Sequence, residues 1–105
     1  MSLEQNKEYI VCSAVWFKDD HYYSGQPKGI IEGIVVCGYR HNNCYETYAA
    51  ILKVPVKECI YPSREEGFLT NMNRFVNRSK AGEIAFTAEQ TETLIMPLIS
   101  EYLYK

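Results

Sequence analysis

The spacing of apolar and polar positions divides the chain into stretches of different period. Residues 9–17, Tyr9-Ile10-Val11-Cys12-Ser13-Ala14-Val15-Trp16-Phe17, are rich in β-branched and aromatic side chains. Both alternating faces are largely apolar, which predicts a strand covered on two sides. Lys18-Asp19-Asp20 ends it. Residues 18–29 gather Asp, Ser, Gly and Pro without an apolar period, and residues 30–37, from Ile30 to Cys37, return to strand composition. The expectation is two sheet strands joined by a polar loop of about a dozen residues. Beyond a break at Gly38, His41, Cys44, Tyr45, Tyr48, Ala49 and Leu52 recur at helical spacing and define one helix face, with Asn42 or Asn43 as cap of its first turn.

Residues 53–66 hold Pro55, Pro62 and several charges, and the short apolar stretch Cys59-Ile60-Tyr61 predicts an edge strand. Gly67-Phe68-Leu69-Thr70-Asn71-Met72-Asn73-Arg74-Phe75-Val76 reads as a hairpin with an Asn-rich turn. Ser79 then caps a second helix whose apolar stripe is Ala81, Ile84, Ala85 and Ala88, ending near Gln90. The stretches Leu94-Ile95-Met96-Pro97-Leu98-Ile99 and Tyr102-Leu103-Tyr104 are apolar enough to dock on the core or on another subunit. No repeat, low-complexity tract or linker divides residues 1–105, so the expected architecture is one α+β domain: a mixed or antiparallel sheet with two main helices.

Composition supports a folded core and narrows the function. Of the 105 residues, 47% are hydrophobic and 13% aromatic, enough for a packed interior. Eleven Lys and Arg against 13 Asp and Glu give a net charge of −2, which argues against binding the phosphate backbone of duplex nucleic acid. No apolar run approaches the roughly 20 residues of a membrane-spanning helix. Residues 1–8 are polar where a signal peptide would be apolar, so a soluble cytoplasmic protein is expected. In that setting Cys12, Cys37, Cys44 and Cys59 are expected as free thiols.

Three constellations bear on chemistry. Cys37-x3-His41-x2-Cys44, with His21 or Cys59 as a fourth ligand, has the donor types of a zinc site but not the paired spacing of a structural one. Core packing accounts for the thiols, and neither a metal nor a cofactor is expected. Cys44 and His41, three apart on a helix face, could form a thiolate–imidazolium pair, although a third, orienting group is not evident. The segment Asn73-Arg74-Phe75-Val76-Asn77-Arg78 sets two arginines four residues apart at a helix start, with Thr70 and Asn71 upstream. Converging with the helix N-terminus, they would suit a diphosphate, and Phe75 or a nearby tyrosine could stack on a base. Arg40, His41 and Tyr45 stand at a second junction of strand and helix.

The strand from Glu8 to Phe17, the junction Val36-Cys37-Gly38-Tyr39-Arg40-His41-Asn42-Asn43-Cys44 and the run from Gly67 to Arg78 resemble small bacteriophage proteins. So do Ile84-Ala85-Phe86 and the terminal Ser100-Glu101-Tyr102-Leu103-Tyr104. The chain is similar to Thoeris anti-defence proteins of the first type, phage-encoded sponges that sequester cyclic ADP-ribose isomers made by bacterial TIR-domain enzymes without cleaving them. The resemblance implies that Arg74 and Arg78 contact the diphosphate, with Asn73 or Thr70 as neighbouring donors. Arg40, His41 and Tyr45 are further candidates from the junction chemistry. Two positions depart from the pattern: Asn42 or Asn43 stands where a second histidine is common, and Glu89 where a glycine is.

A non-catalytic sponge for a cyclic ADP-ribose isomer, acting as a homo-oligomer because so small a domain offers little concave surface, is therefore the first expectation. The second is a small enzyme acting on a nucleotide diphosphate, with His41 or Cys44 as the reacting group. The third is a phage structural or regulatory partner protein that docks through its aromatic C-terminal segment.

Overall fold

In a computed structural model, the described residues are 7–60 and 63–99. They form strand β1 (Ile10–Lys18), strand β2 (Ile34–Gly38), helix α1 (His41–Leu52), a short 3-10 helix (Val56–Ile60), strands β3 (Ser63–Thr70) and β4 (Phe75–Asn77), and helix α2 (Arg78–Thr87). The strands make one sheet in the order β2-β1-β3-β4, and every pairing is antiparallel. This is the α+β architecture that the sequence predicts.

Residues directly opposite one another in antiparallel strands share a face. Ser13 lies opposite Gly38 and Phe68, Val15 opposite Val36 and Glu66, and Phe17 opposite Ile34 and Arg64, with Val76 beside Phe68. Both helices pack on this face. α1 closes Cys44, Tyr48 and Ala49 over Val15, Phe17 and Val36, and the rings of Phe17 and Tyr48 stack with centroids 3.8 Å apart. α2 closes Ala81, Ile84 and Ala85 over Ile10, Phe68 and Val76. Cys12, Ala14, Trp16, Cys37, Leu69 and Phe75 alternate onto the other face. Lys28 and Glu32 tie the loop to that side: Trp16 Nε1 donates to the Glu32 carbonyl at 3.0 Å, and the Lys28 N–H donates to the Asn73 carbonyl at 2.9 Å, whereas Asp19, at the loop's start, accepts from the Tyr48 hydroxyl of α1 at 2.8 Å.

The second strand begins four residues later than its composition predicts. Gly33 takes a left-handed φ of +77°, its N–H donates to the His21 carbonyl, and it bridges Tyr22, which leaves Ile31 82% exposed. A Cβ at Gly33 would collide with the Phe17 carbonyl oxygen, so the chain can turn into the sheet there only as glycine. Apolar composition at Ile30 and Ile31 cannot signal this backbone requirement.

The edge strand predicted around Cys59 is instead the end of the 3-10 helix, opened by a Glu58 N–H to Pro55 carbonyl bond. Cys59 is buried against α1, its thiol donating to the Tyr45 carbonyl at 3.8 Å; Tyr61 lies outside the described residues. At the start of α1, Arg40 rather than Asn42 or Asn43 is the cap residue, and Asn43 Oδ1 accepts the Arg40 N–H at 3.0 Å from inside the first turn. Asn77, not Ser79, caps α2: its Oδ1 accepts the Lys80 N–H at 2.8 Å. Asn77 is both the last residue of β4 and the cap, so strand passes directly into helix.

α2 ends at Thr87, short of Gln90, because that side chain substitutes for a peptide group beside β1: it accepts from the Ile10 N–H and donates to the Ile10 carbonyl, each at 2.8 Å. The apolar stretch after it docks on the core as expected, with Leu98 fully buried in the α2 cluster and its N–H donating to the Arg78 carbonyl at 2.9 Å. Residues 102–104 lie outside the described residues.

Gly82 is the point of closest approach between α2 and this docked segment, where a Cβ would collide with the Ile95 carbonyl oxygen. Alanine favours a helix intrinsically by about 1 kcal/mol over glycine. Gly82→Ala is nevertheless expected to destabilise the domain by about 1–3 kcal/mol, the usual range for overpacking, as read by urea unfolding. A stabilised variant would show that residues 91–99 do not bear on α2.

Candidate functional site

α1 and α2 both pack on the helix-bearing face, and side chains from each reach the stretch of β3 that lies between them, referred to below as the groove. Alternation along β3 turns Arg64, Glu66 and Phe68 toward it. Tyr45 from α1 donates its hydroxyl proton to Glu66 Oε2 at 2.9 Å, and Arg64 Nε donates to the Tyr45 oxygen at 2.7 Å. Burial pushes the Tyr45 phenol above its ordinary range, and the Glu66 carboxylate adds to this against the opposing pull of Arg64, so Tyr45 stays a neutral donor. From α2, a terminal nitrogen of Arg78 lies 3.7 Å from Glu66 Oε1.

His41, the first residue of α1, closes the other end. Its Nε2 lies 2.8 Å from the Gly67 carbonyl oxygen, and because a carbonyl only accepts, this nitrogen carries the proton. The ring meets Phe68 edge-on at 5.1 Å. Arg40 stands just before α1, its guanidinium 4.9 Å from the centre of the Tyr39 ring.

Two guanidinium groups, Arg64 and Arg78, thus flank one carboxylate, Glu66, and the first turn of α2 adds the positive end of a helix dipole. Among the described residues, Arg78 Nε is the buried side-chain polar atom that has no hydrogen-bond partner. Leaving such a donor unmatched costs about 1–3 kcal/mol, more when it is charged.

The other predicted residues gather elsewhere. Arg74 does not converge with Arg78. Its Nε and a terminal nitrogen form a fork on the Glu8 carboxylate, at 2.8 and 2.9 Å, and the Thr70 hydroxyl donates to the same carboxylate at 2.7 Å. Thr70 and Glu66 are four residues apart on β3, roughly 13 Å at strand rise, so the two arginines serve separate carboxylates. The convergence expected of the two arginines at the helix start does not form, because the chain between them, Phe75–Asn77, is extended and carries the two guanidinium groups apart. Asn73 holds the hairpin turn at a φ of +60°, and its carbonyl accepts from Lys28. His41, Tyr45 and Arg78 are therefore the predicted residues that share the groove, with Arg40 at its edge.

The thiol constellations also separate. Cys44 faces the sheet from α1, its thiol donating to the Arg40 and Ser13 carbonyls at 3.6 and 3.8 Å, whereas Cys37 alternates onto the opposite sheet face. Burial pushes the Cys44 thiol up to about 12, which disfavours a thiolate beside His41. Among the described residues no group of three or more His, Cys, Asp or Glu is placed to hold a metal ion.

Glu66, Arg64 and Glu8 are the site residues that the sequence reading did not select. An Arg-x-Glu step at strand spacing was the available signal for the first two, masked by the charged, proline-containing stretch in which it lies.

The antiparallel sheet with two helices on one face defines a small two-layer α+β domain. The family model described as Phage T4 y16D protein matches residues 9–104, and the chain belongs to that family. No curated protein and no solved structure matches it. Among the described residues no helix is long and apolar enough to cross a membrane.

The Arg74 hydrogen bonds hold the Glu8 carboxyl below the ordinary glutamate range despite partial burial. With the native value depressed, the pair's stabilisation is complete above the unfolded glutamate value and is lost as pH falls through the native one. Wild type is expected to gain stability over Glu8→Gln as pH rises from acid to about pH 5 and above. Because the Arg74 side chain is 43% exposed, the gain is at most about 1 kcal/mol. Urea unfolding of both proteins from acid to neutral pH reads it; parallel curves would mean that the fork adds nothing.

Proposed function

We propose that this phage protein is a sponge that binds a cyclic ADP-ribose isomer in the groove between α1 and α2 and holds it without cleavage, so that a TIR-derived immune signal does not reach its effector. The observation that carries this reading is the buried, unpartnered Nε–H of Arg78 at the first turn of α2. A phosphate oxygen that displaces the groups covering this donor would supply the missing charge-assisted hydrogen bond, and the rest of the guanidinium, on a side chain a third exposed, is open to the same ligand.

The neighbouring groups suit the rest of such a ligand. Arg64 adds positive charge, Tyr45 offers a hydroxyl and an aromatic ring, and Arg40 with Tyr39 lies at the groove's edge. Membership of a phage family and the sequence resemblance to Thoeris anti-defence proteins point the same way. A separate cleft of about 690 Å³ is lined by Asp19, Asp20, Glu32 and Glu58 against Lys18, and its negative charge disfavours a diphosphate. A second copy of the chain closing over the groove would bury the ligand, so the working form is a homo-oligomer in the cytoplasm of the infected cell.

The test mixes the protein with each cyclic ADP-ribose isomer, removes free ligand, heats the protein and identifies what is released. Intact ligand in near-stoichiometric amount is expected. Arg78→Ala should weaken binding by about 1.5–3 kcal/mol, roughly 10- to 150-fold, while the free protein keeps its cooperative unfolding. Cys44→Ser should retain capture. A converted product would replace the sponge with an enzyme, and unchanged affinity in Arg78→Ala would remove the groove from the account.

A further inference from the structure

The face of the sheet away from the helices carries a second chemical feature. Ala14 of β1 lies opposite Cys37 of β2, which puts Cys12, two residues earlier on β1, on the same face and diagonally next to Cys37. Cys37 is exposed and Cys12 half-buried, whereas Cys44 and Cys59 are buried on the helix side. The two outer thiols come from different strands and meet only because the β1–β2 register brings them together.

We propose that Cys12 and Cys37 form a redox-active dithiol, with Cys37 as the attacking and Cys12 as the resolving thiol, which exchanges with low-molecular-weight disulfides of the glutathione class. Cys37 is the more accessible of the two. Its thiolate is favoured by a hydrogen bond that the Cys12 thiol donates, while Cys12 itself is held protonated by this interaction and by burial.

The exchange takes two steps. The Cys37 thiolate attacks one sulfur of the small disulfide, forming a protein mixed disulfide and expelling one small thiolate. Cys12, giving up its proton to solvent, then attacks the Cys37 sulfur, forming the Cys12–Cys37 bond and releasing the second small thiol. The protein loses two electrons and two protons, and the small disulfide is reduced to two thiols.

Two features let the strands make the small approach this bond requires. Diagonal neighbours start farther apart than the roughly 3.5–4.5 Å between Cβ atoms in a disulfide. The β1–β3 register shifts between Ile10 and Cys12, so β1 carries an irregularity beside the cysteine, and β2 is an edge strand. A bond closed against some strain is readily reduced again, as suits reversible exchange.

Trypsin places the four cysteines on four different peptides, since Lys7, Lys18, Lys28, Arg40, Lys53, Lys57 and Arg64 separate them. The folded protein is incubated with oxidised glutathione, quenched with acid, alkylated and mapped by mass spectrometry. Wild type is expected to yield the Cys12–Cys37 linked peptide with Cys44 and Cys59 still reduced, and Cys37 to react at least about tenfold faster than either buried thiol. In Cys12→Ser the glutathione adduct should accumulate on Cys37, because its resolving thiol is gone. A persistent adduct on wild-type Cys37, or a bond that forms only after urea denaturation, would overturn the proposal. So would a link from either outer cysteine to Cys44 or Cys59.

Discussion

The antiparallel pairing of β1 with β3 is the constraint on which the other features depend. It fixes eight opposed residue pairs between Ile10 and Lys18 on one strand and Ser63 and Thr70 on the other. Since a slip of one residue would exchange the two faces, this register decides at once what is buried and what is presented. It sets Phe68 opposite Ser13 beneath α2, and Glu66 opposite Val15 beside α1, so that the groove acquires its apolar floor and the Glu66 carboxylate from one strand. At its far end the same register brings Glu8, just ahead of β1, within reach of Arg74 in the hairpin turn.

The two arginines of the Arg74-x3-Arg78 segment show how local structure separates residues close in sequence. Arg74 forks onto Glu8 and is 43% exposed, so its ion pair contributes little to stability and mainly ties the chain ahead of β1 to the hairpin. Arg78 sits at the first helical position, with its Nε buried and its carbonyl taken by Leu98, so the docked C-terminal segment helps to fix it in place. A buried donor without a partner costs folding free energy. A ligand that supplies the acceptor gains from a group already positioned to receive it.

Much of the fold was legible in the sequence because apolar period is a strong signal for long elements: β1, α1 and α2 lie where that period places them, and the Asn-rich residues mark the hairpin turn. The errors came where one residue performs two tasks. Asn77 is strand end and helix cap together, Gln90 looked like the tail of a helix but replaces a peptide group at Ile10, and Gly33 delays β2 through its backbone conformation. Of the site, His41, Tyr45 and Arg78 were recognisable as polar groups at junctions. Glu66 and Arg64 were not, because only the register between distant strands turns them into the groove. The Cys12 and Cys37 neighbourhood depends on a register of the same kind.

The most direct test of the central claim is an NMR titration that follows the arginine Nε–H resonances as a cyclic ADP-ribose isomer is added, with Arg78→Lys used to assign the signal. The Arg78 resonance is expected to shift downfield and become protected from exchange with water as the phosphate takes up the donor. A ligand that binds while this resonance stays fixed, or that shifts only resonances on the other face of the sheet, would contradict the groove as the site.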